Sequence, residues 1–373
     1  MSLKHRIYGF IFNVYNKFLK DKNKISFILD DRESFKDNFT YIEEEFKRRS
    51  PNFEFNYVVK NDVSLSNIST LASSRFIFLN DNFFPLAYMD ISDKTKVIQL
   101  WHGSGAFKRF GYSSIDSSNR DLVNLIRKSS EKIDMISISS KNVLPYYREA
   151  FQIDEDKIFN FGIPRNDFYF NPSLDNIRNE ILLRFQEKYP EIKDKKIILY
   201  APTFREDVRY NNIFDYFDVD KFQKELGDEY SLIIRLHPRV FDYDKDNSIS
   251  NKLSKLDNTV INCTDYENEQ DLLLISDMLI TDYSSIMIDF GLLRKPIIFY
   301  AYDLENYLNN ERGFYLDYNK DLPGPIVENM DDLVGIIKDN NYDYDRLDKF
   351  LNYEFDYLDS NSSKRIVDYL LKQ

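Results

Sequence analysis

Apolar residues along this chain fall into two rhythms, one helical and one of short runs. In residues 3–20, Leu3, Ile7, Phe10, Ile11, Val14 and Phe18 keep the helical period, and Tyr8, Phe12, Tyr15 and Leu19 widen that face. Lys4, His5, Arg6, Lys17 and Lys20 share the stretch with no acid among them, and Lys22 and Lys24 follow. A basic amphipathic helix of this kind suits a membrane interface; the alternative is a helix seated on its own domain or on a second subunit. Gly9 weakens it. Short apolar runs then predict strands at 24–31, 53–59, 75–80, 96–101 and 135–139, with helices at 39–48 and 142–151. Residues 158–167 read as a strand and a turn, and 174–189 as a helix. The second half repeats the plan. Strands are expected at 197–200, 231–236, 259–262, 278–281 and from Pro296 to Tyr300, with a short helix at 271–274. Helices at 329–339, 343–354 and 362–371 finish the chain. Such alternation implies an open, mostly parallel α/β sheet in each half, with ligands beyond the carboxyl ends of strands.

At 373 residues the chain is long for one core, and two domains are expected. The ranges are 1–22 for the amphipathic helix, 23–170 for a first domain, 190–345 for a second, and 346–373 for closing helices that cross back to the first. Hydrophobic content of 43% with 30% charged residues fits a globular protein. Fifty basic against 62 acidic side chains give a net charge of −12, which argues against nucleic acid as a partner. The single Cys263 excludes an internal disulfide and fits a reducing compartment. No CxxC pair, histidine cluster or Asp-x-Asp at a strand end suggests a metal, and neither a signal peptide nor a run long enough to span a bilayer is evident.

Candidate chemistry sits at strand ends. Trp101-His102-Gly103-Ser104-Gly105 follows a strand; the two glycines allow close backbone approach, and Lys108 and Arg109 come next. A neutral imidazole at His102 can take a proton from a hydroxyl near pH 7. His237, in His237-Pro238-Arg239, occupies the matching place in the second half. Arg205, in the loop Ala201-Pro202-Thr203-Phe204-Arg205, is a candidate phosphate or acceptor contact. Arg165 either faces a cleft between the domains or pairs locally with Asp167. Asp282-Tyr283-Ser284-Ser285 lies between a strand and a helix, where unpaired N–H groups and two hydroxyls suit a phosphate or diphosphate; the plainer reading is an N-cap.

Five motifs then occur in order: Trp101-His102-Gly103, the APTFR loop ending in Arg205, His237-Pro238, ITDYSS with Asp289, and Arg312-Gly313-Phe314-Tyr315 with Pro323-Gly324-Pro325. From about residue 96 to 340 the chain resembles the CDP-glycerol glycerophosphotransferase family of teichoic acid and capsule synthesis. The resemblance implies a GT-B architecture, two Rossmann-like domains facing across a cleft, with the nucleotide on the second. It implies transfer of glycerol phosphate or a related polyol phosphate from a CDP ester, CDP-glycerol or CDP-ribitol, with release of CMP and no other cofactor. The implied acceptors are undecaprenyl-diphosphate-linked saccharides or growing polyol-phosphate chains at the cytoplasmic face of the cell membrane. That context raises the weight of membrane docking by residues 3–20, beside a subunit contact in a homo-oligomer. By the same resemblance His102 deprotonates the acceptor hydroxyl and His237 lies near the donor diphosphate. Arg205, Ser284 and Ser285 contact donor phosphates, and Asp282 and Asp289 bind ribose or hold the loop. Ser104-Gly105 stands where the family often has Thr-Pro. The rival readings are a GT-B glycosyltransferase using a nucleotide sugar and a saccharide-binding scaffold without catalysis.

Overall fold

The alternating runs build two separate parallel sheets. The computed structural model describes residues 3–19, 23–31, 36–115, 118–244, 247–256, 260–311 and 313–373. Lys20, Lys22 and Arg312, each named above, and residue 259 of the expected strand 259–262 lie outside the described residues. The chain divides into two compact units, one formed by Met1–Asn171 with Tyr353–Gln373, the other by Pro172–Asn352.

The first unit opens with helix α1, Leu3–Phe18. Tyr8, Gly9 and Phe12 face inward, and α1 contacts the 3-10 turn at Phe84–Tyr88. A Cβ at Gly9 would lie 2.4 Å from the Tyr88 Cβ, so this glycine permits the close approach. Then come β1 (Lys24–Leu29), α2 (Asn38–Arg49), β2 (Glu54–Val59), α3 (Leu65–Ala72), β3 (Phe76–Leu79), β4 (Lys96–Gln99), α4 (Arg120–Ser130), β5 (Met135–Ser137), α5 (Leu144–Phe151) and β6 (Ile158–Phe159). Parallel neighbours need crossover segments, which is why α3 and α4 exist although their own periodicity is too short or too polar to announce them. The strand order is β2-β1-β3-β4-β5-β6, every pair parallel. Ile25, Phe27, Phe39, Ile42, Phe46, Phe76 and Phe78 form the centre of its core.

The second unit runs α6 (Leu174–Lys188), β7 (Lys196–Tyr200), α7 (Val219–Leu226), β8 (Tyr230–Ile234), α8 (Ser248–Leu253), β9 (Val260–Asn262), α9 (Glu269–Ile275), β10 (Met278–Thr281), α10 (Ile286–Gly291), β11 (Ile297–Tyr300), α11 (Leu304–Asn310), β12 (Ile326–Val327), α12 (Met330–Asp339) and α13 (Tyr344–Glu354). Its order, β12-β11-β10-β7-β8-β9, is that of a dinucleotide-binding Rossmann sheet, and the order reverses between β7 and β10. Pro323-Gly324-Pro325 feeds β12: the Pro325 carbonyl accepts from Phe299 N–H at 2.9 Å, and a Cβ at Gly324 would sit 2.0 Å from the Ile297 oxygen. That motif is therefore a sheet-edge device. The final helix α14 (Ser362–Leu370) belongs to the first unit, where Ile366, Val367 and Leu370 join the core around Phe46.

Candidate functional site

In the first unit the candidate side chains collect where the strand order reverses, between β1 and β3, and at the end of β4. The chain leaves β4 through a forced turn. Trp101 holds a left-handed backbone, φ 62°, which a bulky side chain rarely adopts. Its N–H donates to Gln99 Oε1 at 2.9 Å and its carbonyl accepts from Asn38 Nδ2 at 2.6 Å. Its indole packs on Phe110 and Phe151. The turn leaves the His102 side chain exposed, with Nδ1 3.3 Å from the Asn80 carbonyl oxygen. A carbonyl only accepts, so Nδ1 carries the proton of the neutral ring and Nε2 keeps its lone pair. Protein atoms crowding the ring desolvate it and lower its pKa below 6.5, against the opposing pull of Asp81 and the Asn80 carbonyl.

The segment after His102 is fixed from several sides. Gly105 has φ 65°, which requires glycine, and its carbonyl accepts from Tyr147 Oη at 3.1 Å. Ser104 Oγ donates to Asn166 Oδ1 at 2.8 Å, and Ala106 N–H donates to the buried Glu354 at 3.1 Å. Gly103 lies in this loop with its backbone half-exposed. Arg165 is buried and donates through Nη1 to the His102 carbonyl at 3.1 Å. Asp167 accepts from Ser362 and Ser363 N–H at 2.8 and 2.9 Å, capping α14.

In the second unit the loops leaving β7 and β10 meet at the point of reversal. Asp282 accepts from Thr203 N–H at 2.8 Å and from Tyr283 N–H at 2.5 Å. Arg205 Nη1 donates to Asp282 at 2.7 Å and to the Thr203 carbonyl; Nε and Nη2 make a bidentate pair with Asp303, both at 2.9 Å. The Tyr283, Tyr302 and Tyr307 rings lie 4.9, 5.0 and 5.7 Å from the guanidinium. Burial alone would lower the Arg205 pKa, but Asp282, Tyr302 and Asp303 outweigh it and push it up. Arg205 is 0% exposed with both carboxylate partners in place, so in this structure it holds the loop together. Asp282 is equally buried and its hydrogen bonds hold the loop; Asp289 is nearly as buried.

Ser284 and Ser285 stand at the tip of this loop. Ser284 Oγ accepts from Ile286 N–H at 3.3 Å, and Ser285 is the exposed N-cap of α10, a helix of six residues. His237 is exposed three residues past β8, and its Nδ1 accepts from Arg239 N–H at 3.2 Å. That contact puts the proton of its neutral ring on Nε2, the reverse of His102. Phe314 of the RGFY motif packs on Tyr307 and Tyr318, beside the tyrosines that enclose Arg205. Among the described residues no three His, Cys, Asp or Glu are grouped to hold a metal ion.

Sequence reasoning missed Asn38, Asn80, Gln99 and Asp303. A signal existed for two of them: Gln99 is a polar residue inside an apolar strand, and Asn80 ends another. Nothing local marks Asn38 or Asp303, whose roles come from partners 63 and 98 positions away.

Comparison with known proteins now adds to this geometry. The teichoic acid poly(ribitol-phosphate) polymerase of Bacillus spizizenii is 34% identical over 343 residues, 88% of this chain and 53% of that protein. The teichoic acid glycerol-phosphate transferase of Staphylococcus aureus is 37% identical over 253 residues, 64% of this chain and 60% of that one. The chain thus spans about half to two thirds of the length of the curated relatives it matches. The solved wall teichoic acid polymerase TagF superposes with a TM-score of 0.78 at 28% identity, covering 98% of this chain and 93% of that one. Two Rossmann-like units and this likeness make the fold GT-B type. Residues 10–372 match one family throughout, and on that match the chain belongs to the CDP-glycerol:poly(glycerophosphate) glycerophosphotransferases.

Proposed function

We propose that this protein transfers a polyol phosphate, glycerol phosphate from CDP-glycerol in the first instance, to a hydroxyl of an undecaprenyl-diphosphate-linked saccharide or a growing teichoic-acid-type chain. The observation that carries the reading is the tautomer of His102: Nδ1–H is committed to the Asn80 carbonyl, and Nε2 is left as an acceptor at a strand end. Family membership supplies the substrate class, and a histidine variant of TagF soaked with CDPG is a structural neighbour at TM-score 0.77. In the reaction the acceptor oxygen attacks the phosphorus that bears glycerol. Its proton passes to His102 Nε2, the bond from that phosphorus to the bridging oxygen breaks, and CMP leaves with the electron pair. Phosphoryl transfer of this kind depends on positioning and on neutralising phosphate charge. His237 Nε2–H and the Ser284 and Ser285 hydroxyls are the donors proposed for that role.

Ribitol phosphate is the second reading, favoured by the ribitol polymerase match over 88% of the chain. The test is incubation with CDP-glycerol and CDP-ribitol plus an undecaprenyl-diphosphate-linked disaccharide, with products sized by mass spectrometry. CMP release with a mass gain of one polyol phosphate or more is expected, and His102→Ala should abolish it. Release of UDP or GDP from a nucleotide sugar instead, or full turnover by His102→Ala, would overturn the proposal.

The same reading places the protein peripherally on the membrane. On α1, Leu3 (71% exposed), Ile7, Phe10 (69%), Val14 and Phe18 (77%) form one solvent-facing stripe, flanked by Lys4, Arg6 and Lys17. Among the described residues no helix is long and apolar enough to cross a membrane. A cationic apolar stripe on a chain of net charge −12 matches an anionic lipid surface.

A further inference from the structure

Four residues, His102 among them, close a circuit of hydrogen bonds. Asn38 Nδ2 donates to Asn80 Oδ1 at 3.1 Å. The Asn80 carbonyl meets His102 Nδ1 at 3.3 Å. The His102 carbonyl accepts from Arg165 Nη1 at 3.1 Å. Arg165 N–H returns to Asn38 Oδ1 at 2.9 Å. Asn38 also holds the carbonyl of the strained Trp101 at 2.6 Å. Asn38 is 0% exposed. One amide therefore ties the segment after β1 to the ends of β3 and β4 and to the turn at Pro164–Phe170. Its two donor bonds and one acceptor bond use both ends of the amide, which no residue of another type reproduces at this size.

We propose that Asn38 is the positioning residue that fixes the ring orientation and tautomer of His102. The proposal rests on the reading of His102 as general base. The physical reason is geometric. Without the Asn38 donor, the Trp101 carbonyl next to His102 loses its partner, and Asn80 loses the side-chain bond that steadies the backbone whose carbonyl meets the imidazole. A base displaced by about 1 Å costs on the order of 10²-fold in rate.

Asn38→Asp is the sharp test, because it keeps the shape and the acceptor for Arg165 N–H while removing both donors. With three histidines in the chain, ¹⁵N-histidine labelling gives an imidazole spectrum assignable by His5, His102 and His237 substitutions. Wild type should show His102 as the Nδ1–H tautomer; Asn38→Asp should show a mixture, with kcat lower by about 10²-fold and the KM for CDP-glycerol changed less than about threefold. If Asn38→Asp fails to fold, Asn80→Ala removes the Asn38 acceptor while leaving the carbonyl that meets His102, and the same tautomer loss is expected. A folded Asn38→Asp, or Asn80→Ala in its place, with His102 unchanged in the spectrum and kcat unchanged would overturn the proposal. If His102→Ala leaves turnover intact, the general-base reading fails, while the spectrum still decides whether Asn38 orients the ring.

Discussion

Replacing Arg205 with methionine distinguishes a residue that builds the loop after β7 from one that touches the donor. The guanidinium is fully buried between Asp282 and Asp303. Methionine fills much of the same volume and removes the charge, so both carboxylates are left without their cation. Removing one partner of a buried ion pair costs about 3–5 kcal/mol, and the uncompensated pair of acids places this variant toward the upper end. For a unit the size of Pro172–Asn352, each kcal/mol moves Tm by about 2–4 °C, so a fall of roughly 10–20 °C is expected. Asp303→Asn, which keeps one acceptor oxygen for the bidentate fork, should lose less. Circular dichroism during heating reads the stability, and calorimetric titration with CDP reads the site. A variant that melts with the wild type yet no longer binds CDP would refute the buried-hub assignment and restore Arg205 as a ligand contact.

Three further outcomes are expected. Burial raises the Glu354 carboxyl from 4.5 to about 7, so the unfolded chain releases that proton first. Stability should fall as pH rises from about 4.5 to 7 and stay lower above it. Glu354→Gln, whose amide oxygen still accepts from Ala106 N–H, should remove that slope and gain up to roughly 3 kcal/mol at pH 8 in urea titrations; an unchanged slope contradicts this. Phe10→Asp with Phe18→Asp should abolish sedimentation with phosphatidylglycerol vesicles; if it instead shifts the species seen by analytical ultracentrifugation from dimer to monomer, the α1 stripe is a subunit contact. Transfer from CDP-glycerol should persist in EDTA, whereas loss restored by magnesium would show that a cation shares in neutralising the diphosphate.

The sheets were legible because a buried parallel strand is a continuous apolar run: 278–281 is β10 to the residue. Several of the crossovers were not. α3 and α7 have eight residues each, too few turns to display a period, and α8 and α11 are shorter still. His102 and His237 were visible as polar residues at strand tips, and both are exposed there. The inward turn of Arg205 was not legible, for a physical reason. Its loop follows a strand end at the point of reversal, where ligands do bind, but Asp303 and the tyrosines that claim it lie about a hundred residues away. Sequence gives position along the sheet; it does not give which long side chain turns inward. Asp282 was read with both of its alternatives, and the loop-holding one matches its bonds to Thr203 and Tyr283.

The two strand-tip histidines look alike in sequence and differ in the atom that meets Nδ1. At His102 that atom is a carbonyl oxygen, at His237 a backbone N–H. The first contact leaves Nε2 as an acceptor, the second leaves it as a donor, so the proposed chemistry gives them opposite tasks: taking a proton from an alcohol, and donating to a phosphate oxygen. Glutamine separates these tasks, because its amide nitrogen can donate where Nε2 stood but cannot serve as a base near pH 7. His237→Gln should therefore retain about tenfold or more of the activity lost in His237→Ala, for which a drop of about 10²–10³ is expected. His102→Gln should be no better than His102→Ala, each down by about 10²–10⁴. Steady-state kcat/KM with CDP-glycerol for the four variants decides it. Equal losses for glutamine and alanine at 237, or rescue by glutamine at 102, would mean that the tautomers set by Asn80 and Arg239 are not the ones the reaction uses.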